Sequence, residues 1–176
     1  MQKQNPHDYE SAKKAVVSAG KFFLFLLVSF SVLFVLSILI PVADFERLLA
    51  ALVQNALSFF RIEAFAGFEE DAFVQVVSGP KIVFNFLCTG ITETIILLSA
   101  IFATFEIEWK KRLVGAAAGI VAVFAFNLVR IFVTVWSILT QPLEVVVLSH
   151  EVLFRIFLFV VIAGLYWAWL RWSRKK

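Results

Sequence analysis

Long uncharged apolar runs, rather than an alternation of apolar and polar positions, dominate this chain. Phe22–Ile40 carries no charge and stops at Pro41. A helix needs about 20 mostly apolar residues to cross a hydrocarbon core of about 30 Å. The run is too long for the apolar core of a cleaved signal peptide, and no small-residue cleavage site follows it, so it reads as a retained signal anchor. Ile91–Phe105, extended to about 88–107, predicts a second span. Leu113–Leu139 predicts a third, and Val152–Trp169, or about 151–170, a fourth. Glu93, Arg130 and Arg155 are the charges that interrupt these runs. Between the first two spans, Phe45–Arg61 sets Leu48, Leu49, Leu52, Val53 and Ala56 on a stripe opposite Glu46, Arg47 and Gln54, a pattern suited to an interfacial helix. Phe73–Val77 and Lys81–Phe84 flank Ser78-Gly79-Pro80 and predict a β-hairpin, while Gly67 with Glu69, Glu70 and Asp71 reads as a solvated turn.

Composition sharpens this picture. The chain of 176 residues is 61% hydrophobic and 16% charged, against about 45–50% and about 25% in soluble domains. A soluble enzyme, a disordered chain and a collagenous chain are excluded. A formal charge of +3 does not suggest nucleic-acid binding. The distribution of that charge is more informative. Lys3, Lys13, Lys14 and Lys21, then Lys110, Lys111 and Arg112, then Arg171, Arg174, Lys175 and Lys176 account for 11 of the 16 basic residues. Short basic segments mark the cytoplasmic side, so four spans with both termini in the cytoplasm place all three groups there. Segment 41–87, with six acids and three bases, then lies outside. A fifth crossing by 45–61 would reverse the charge pattern of everything after it. The expected fold is an all-α membrane protein of the plasma membrane, the inner membrane of a bacterium. It has about four transmembrane helices, an outer interfacial helix over 45–61 and a short extracytoplasmic hairpin over 73–84. Residues 1–40 form the cytoplasmic N-terminus and anchor, and 41–176 the membrane domain.

Candidate chemistry follows from depth, at 1.5 Å of rise per helical residue. Cys88 precedes Trp109, and His150 precedes Arg171, by 21 residues each, or roughly 32 Å. Arg130 follows Arg112 by 18 residues, or roughly 27 Å. All three are thereby expected near the outer interface. Each has a plain structural alternative. A lone cysteine is more often a small buried hydrophobe, an interfacial Arg can snorkel to headgroups, and a His before a helix can simply face the interface. Yet Cys88 is the only cysteine and opens a helix, where exposed N–H groups favour a thiolate, and an intramembrane Arg is costly unless it has a role. Asn127, one turn before Arg130, is a candidate to orient its guanidinium. Glu93 and Arg155 are candidates to pair with each other or to join the site. No Cys/His/Asp cluster has metal-ligand spacing, and no Gly-rich loop is placed to hold phosphate; neither metal nor cofactor is expected. A thiolate, an imidazole and a guanidinium together suit acyl transfer.

Cys88-Thr89-Gly90 opening a span, Asn127-Leu128-Val129-Arg130-Ile131 late in the next and His150 before the last resemble the exosortase/archaeosortase family, most closely its short exosortase H group. The resemblance covers roughly 45–172. It implies a membrane cysteine transpeptidase/protease with Cys88 as nucleophile, Arg130 as the family's Arg and His150 as its third residue, with Arg155 as the alternative to His150. Gly90 and Asn127 are supporting residues. The implied partners are exported proteins ending in a short motif, a transmembrane helix and a basic tail, held in membrane lipid. Thr89 departs mildly from the Ser or Asn common between the Cys and Gly. The competing expectation is a non-enzymatic channel, transporter or assembly factor whose intramembrane charges are structural.

Overall fold

A computed structural model describes residues 6–77, 79–141 and 154–175, with the side chains of residues 6–9, 154 and 155 outside that description. The elements are α1 (Pro6–Ser37), α2 (Val42–Phe59), β1 (Ala64–Phe68), β2 (Ala72–Val76), β3 (Lys81–Phe84), a 3-10 turn (Phe86–Cys88), α3 (Ile91–Ala103), α4 (Trp109–Thr140) and α5 (Phe154–Ser173). Stretches within α1, α4 and α5 are long and apolar enough to cross a membrane, which marks the chain as a membrane protein. The predicted second span is different. Its helix has 13 residues, a length of about 20 Å, and does not extend over 88–107. Its apolar run continues beyond Ala103, but the Arg112 guanidinium gathers the carbonyls of Phe102, Phe105 and Ile107 and folds that stretch into a loop.

α3 sits centrally, touching α1, α4 and α5. Leu97, Ile101, Ile107, Val123 and Trp169 form one core where α3, α4 and α5 meet. Gly115 makes this approach possible: a Cβ there would collide with Trp169 Nε1. That indole nitrogen instead donates to the Lys111 carbonyl at 3.1 Å, and Lys111 Nζ donates to the Ser173 carbonyl at 2.9 Å.

α4 has 32 residues and is about 48 Å long, far more than a hydrocarbon core of about 30 Å requires. Its C-terminal third carries a second core, in which Ile131 and Val135 meet Leu49, Ala50, Val53 and Leu57 of α2 and Ala72, Val74 and Phe84 of the sheet. The sheet has three antiparallel strands in the order β1-β2-β3, so the predicted hairpin is its β2–β3 half. β1 was not expected. Gly67 belongs to it, paired with Phe73 of β2, because the Phe73 ring occupies the space a side chain would need. Glu69 and Glu70 remain in the turn between β1 and β2.

The helix expected over 45–61 exists, but its inward face is turned. Leu48 is exposed, whereas Glu46, assigned above to the polar side, is 5% exposed. The helix packs on protein through Leu49, Ala50, Val53 and Leu57. Burial, and then the nearby Asp71 charge, raise the Glu46 carboxyl above its ordinary value, while the Ala72 N–H opposes the shift. A carboxyl raised in the folded state contributes stability that is complete below its unfolded value and is lost as pH rises through the folded one. Glu46→Gln keeps an acceptor for Ala72 and removes the charge. Thermal unfolding in detergent should therefore show a higher midpoint than the parent at pH 8, with the difference vanishing near pH 4; an equal or lower midpoint at pH 8 would contradict this account.

Candidate active site

The segment leaving β3 turns sharply before α3. Asn85 Oδ1 accepts from the Leu87 N–H at 3.1 Å, and the Cys88 N–H donates to the Asn85 carbonyl at 2.8 Å. Thr89 Oγ1 donates to the Phe86 carbonyl at 2.6 Å and accepts from the Ile91 N–H at 3.3 Å, so this buried hydroxyl joins the 3-10 turn to the first turn of α3. Gly90 has φ +75°, a left-handed conformation that costs other L-residues about 1–2 kcal/mol. A Cβ there would also meet the Asn127 side chain at 3.1–3.3 Å. Each residue of the Cys-Thr-Gly string thus has its own place in the turn.

Two side chains of α4 hold this turn from the outside. Asn127 Nδ2 donates to the Cys88 carbonyl at 2.7 Å, and Arg130 donates to the Leu87 carbonyl at 3.2 Å. Side chains three apart share a helix face, and here they meet two consecutive carbonyls. The expectation that Asn127 orients the Arg130 guanidinium is therefore replaced: both residues act on the cysteine turn. Asn127 is 1% exposed, and its Oδ1 has no hydrogen-bond partner among the described residues. Arg130 also lies 3.9 Å from a Glu93 carboxylate oxygen, with the two side chains 11% and 18% exposed. Sequence offered Glu93 either Arg155 as a partner or a place in the site; from the first turn of α3 it meets Arg130 of α4.

Cys88, Glu93 and Arg130 line one cleft of about 730 Å³, together with Asn85, Leu87 and Thr92 at the same end. Its remaining walls are Ile96 and Ala100 of α3 and Leu158, Phe159, Ile162, Ala163 and Tyr166 of α5. No residue of α2 or the sheet is among them, because those elements face the upper core instead. The depth expected for Cys88 is also revised. Its carbonyl is level with Asn127, 18 residues after Trp109 on α4, or about 27 Å from that residue rather than about 32 Å. His150 lies outside the described residues, and Arg155 is in the first turn of α5 with its side chain outside that description. Among the described residues no group of three or more His, Cys, Asp and Glu could hold a metal ion.

Asn127→Ala leaves the Cys88 carbonyl without its donor, a loss of about 1–3 kcal/mol when such a group is buried. Gly90→Ala strains the same junction and displaces the same amide. Because both changes break one contact, the double variant should lose less stability than the sum of the single losses. Denaturant unfolding in detergent of the three variants checks this, and strict additivity would separate Gly90 from Asn127.

No protein-family model matches this chain, and neither a curated protein nor a solved structure matches it.

Proposed function

We propose that this chain is a membrane-embedded cysteine transpeptidase or protease of the exosortase/archaeosortase kind. In this reading it crosses the plasma membrane four times, both termini are cytoplasmic, and it cuts C-terminal sorting signals of exported proteins at the outer face. α3 and its flanking turns make the short second crossing. The observation that carries the reading is the placement of the only thiol and the late-span Arg in one cleft, on a turn whose carbonyls are held by Asn127 and Arg130.

The chemistry runs as acyl transfer. The Cys88 thiolate attacks the carbonyl carbon of the scissile peptide, and the carbonyl electron pair moves to oxygen. Arg130, always protonated and rich in donors, stabilises that oxyanion. Collapse breaks the C–N bond and leaves an acyl thioester on Cys88. The leaving amine takes its proton from the imidazolium of His150, which had received it from the thiol. Water or an amine acceptor then attacks the thioester, His150 removes the attacking group's proton, and Cys88 leaves as thiolate. Glu93 holds Arg130 in the resting site and yields it when the substrate carbonyl arrives.

The Arg130–Glu93 contact and the Arg130 bond to Leu87 also favour a second reading, in which these charges serve only to fasten helices in a channel or assembly factor. The thiol separates the two. A reporter ending in a motif, an apolar helix and an Arg-rich tail from the same genome should be processed by the parent chain. Cys88→Ala should abolish processing while the variant accumulates in the membrane at parental levels. Normal processing by Cys88→Ala would sink the enzymatic reading and leave the fastening role.

A further inference from the structure

A second cleft, of about 320 Å³, lies between α4 and α5 toward the Trp109 end of α4, away from Cys88. The buried Leu97, Ile101 and Trp169 close its floor, while Val114 and Trp172 at its rim are 55% and 50% exposed. Ala118 and Ala122 on α4 and Ala168 on α5 are small enough to leave the space open. Every lining side chain is aliphatic, aromatic or glycine, and the Trp169 N–H is already spent on the Lys111 carbonyl. A polar ligand would find no partner inside. Both helices are long and apolar enough to cross a membrane, so hydrocarbon is what the cleft meets. Lipid tails are as apolar as such a lining, and selection among lipids therefore rests with whatever stands at the mouth.

The mouth is basic. Lys111 Nζ donates to the Ser173 carbonyl at 2.9 Å and the Lys175 carbonyl at 3.4 Å, which sets the start of α4 beside the end of α5. Lys110 stands one turn before Val114. The Lys175 N–H bonds the Trp172 carbonyl at 3.1 Å, so Lys175 lies one turn past Trp172. Segments 106–112 and 171–175 together hold six basic residues against two acids. Lys111 and Arg112 are engaged with carbonyls, Arg174 with Glu106 at 3.8 Å and Arg171 with the Trp167 ring. The other acid, Glu108, is the N-cap residue of α4. Lys110 and Lys175 are exposed, and among the described residues neither ammonium has a hydrogen-bond or ion-pair partner.

We infer that this cleft seats one acyl chain of an anionic phospholipid whose phosphate is held by Lys110 and Lys175. The inference does not depend on the transpeptidase reading. Basic pockets between membrane helices select acidic headgroups by charge, and a zwitterionic headgroup would bring its own cation against the two lysines. Trp172 suits the same level, since indoles favour the headgroup boundary. A second copy of the chain is disfavoured as occupant. The glycines that would let a foreign helix approach, Gly115 and Gly119, are already covered by Trp169 and Leu97.

The test uses the purified full chain in a non-ionic detergent. Dioleoylphosphatidylglycerol and dioleoylphosphatidylcholine share their tails and differ in headgroup charge, and native mass spectrometry counts the lipids bound. One phosphatidylglycerol should saturate each chain at concentrations where phosphatidylcholine is not retained. Lys110→Gln combined with Lys175→Gln should raise the half-saturating concentration about thirtyfold. Ala118→Leu fills the cleft without touching either lysine and should abolish the saturable lipid. The lysine changes disturb no packing, so they report even where Ala118→Leu does not fold. Phosphatidylglycerol with a diazirine midway along one tail should mark residues within 114–122 or 165–172. Equal retention of the two lipids, an unshifted titration in the lysine variant, parental binding by folded Ala118→Leu, or adducts confined to other stretches would overturn the proposal. Two chains per particle with no lipid bound would assign the cleft to a second copy and overturn it as well.

Discussion

Everything around Cys88 depends on two α4 side chains reaching across to another element's backbone. A short 3-10 turn pairs few of its own carbonyls, and the half-buried Cys88 carbonyl is the one that loses most if left unpaired. Asn127 and Arg130 supply the missing donors to Cys88 and Leu87. The same bonds fix the height of the turn on α4, the direction in which α3 leaves it and the packing of Gly90 on the Asn127 amide. They also give an intramembrane guanidinium a partner that does not depend on reaching a headgroup. Removing either side chain would therefore disturb the position of the thiol before it disturbed the fold at large.

α4 is the mast on which the rest hangs. Toward its N-terminus, Gly115 admits Trp169 and Gly119 admits Leu97, whose Cδ2 would lie 2.9 Å from a Cβ there. At its C-terminal third the neighbours change from helices to α2 and the sheet. The transition falls at Asn127–Ile131, where the cysteine turn docks. The site thus occupies the boundary between a helical bundle and a small α/β cap, a seam where backbone must be irregular and side-chain donors are needed. At the opposite end, Lys111 and Arg112 bind the carbonyls of Phe102, Phe105, Ile107 and Ser173. Their positive charges close chain ends.

The long helices were legible in the sequence because an uncharged run of 20 residues has few alternatives to a helix. α3 was overextended for the same reason: composition does not reveal that Arg112, seven residues beyond Phe105, draws that stretch into a loop. β1 was hidden because Ala64–Phe68 lacks alternation and contains a glycine, whose use is visible only against the Phe73 ring. On α2 the stripe was read one step off, since Leu48, Leu49, Leu52 and Val53 satisfy two overlapping helical faces. The buried Glu46 shows which face won. For the site, depth along a helix was accessible, so Cys88 and Arg130 were expected at neighbouring levels. The bond from Asn127 to the Cys88 carbonyl was not, because azimuth and cross-element hydrogen bonds are tertiary facts.

On the proposed reading, the depth of the thiol constrains the substrate. In that reading, with Trp109 near the cytoplasmic boundary of a core of about 30 Å, the Cys88 carbonyl at about 27 Å along α4 lies just beneath the outer one. A peptide bond brought there leaves bulk water unless the cleft supplies polar partners. Asn85, Glu93 and Arg130 cluster at that end and nowhere else along it. Asn127 Oδ1, buried and without a hydrogen-bond partner among the described residues, adds an acceptor beside the same turn. An extended segment lowered to this level would exchange hydration for these groups. On the proposed reading, the polar end of the cleft, rather than bulk water, therefore surrounds the scissile bond.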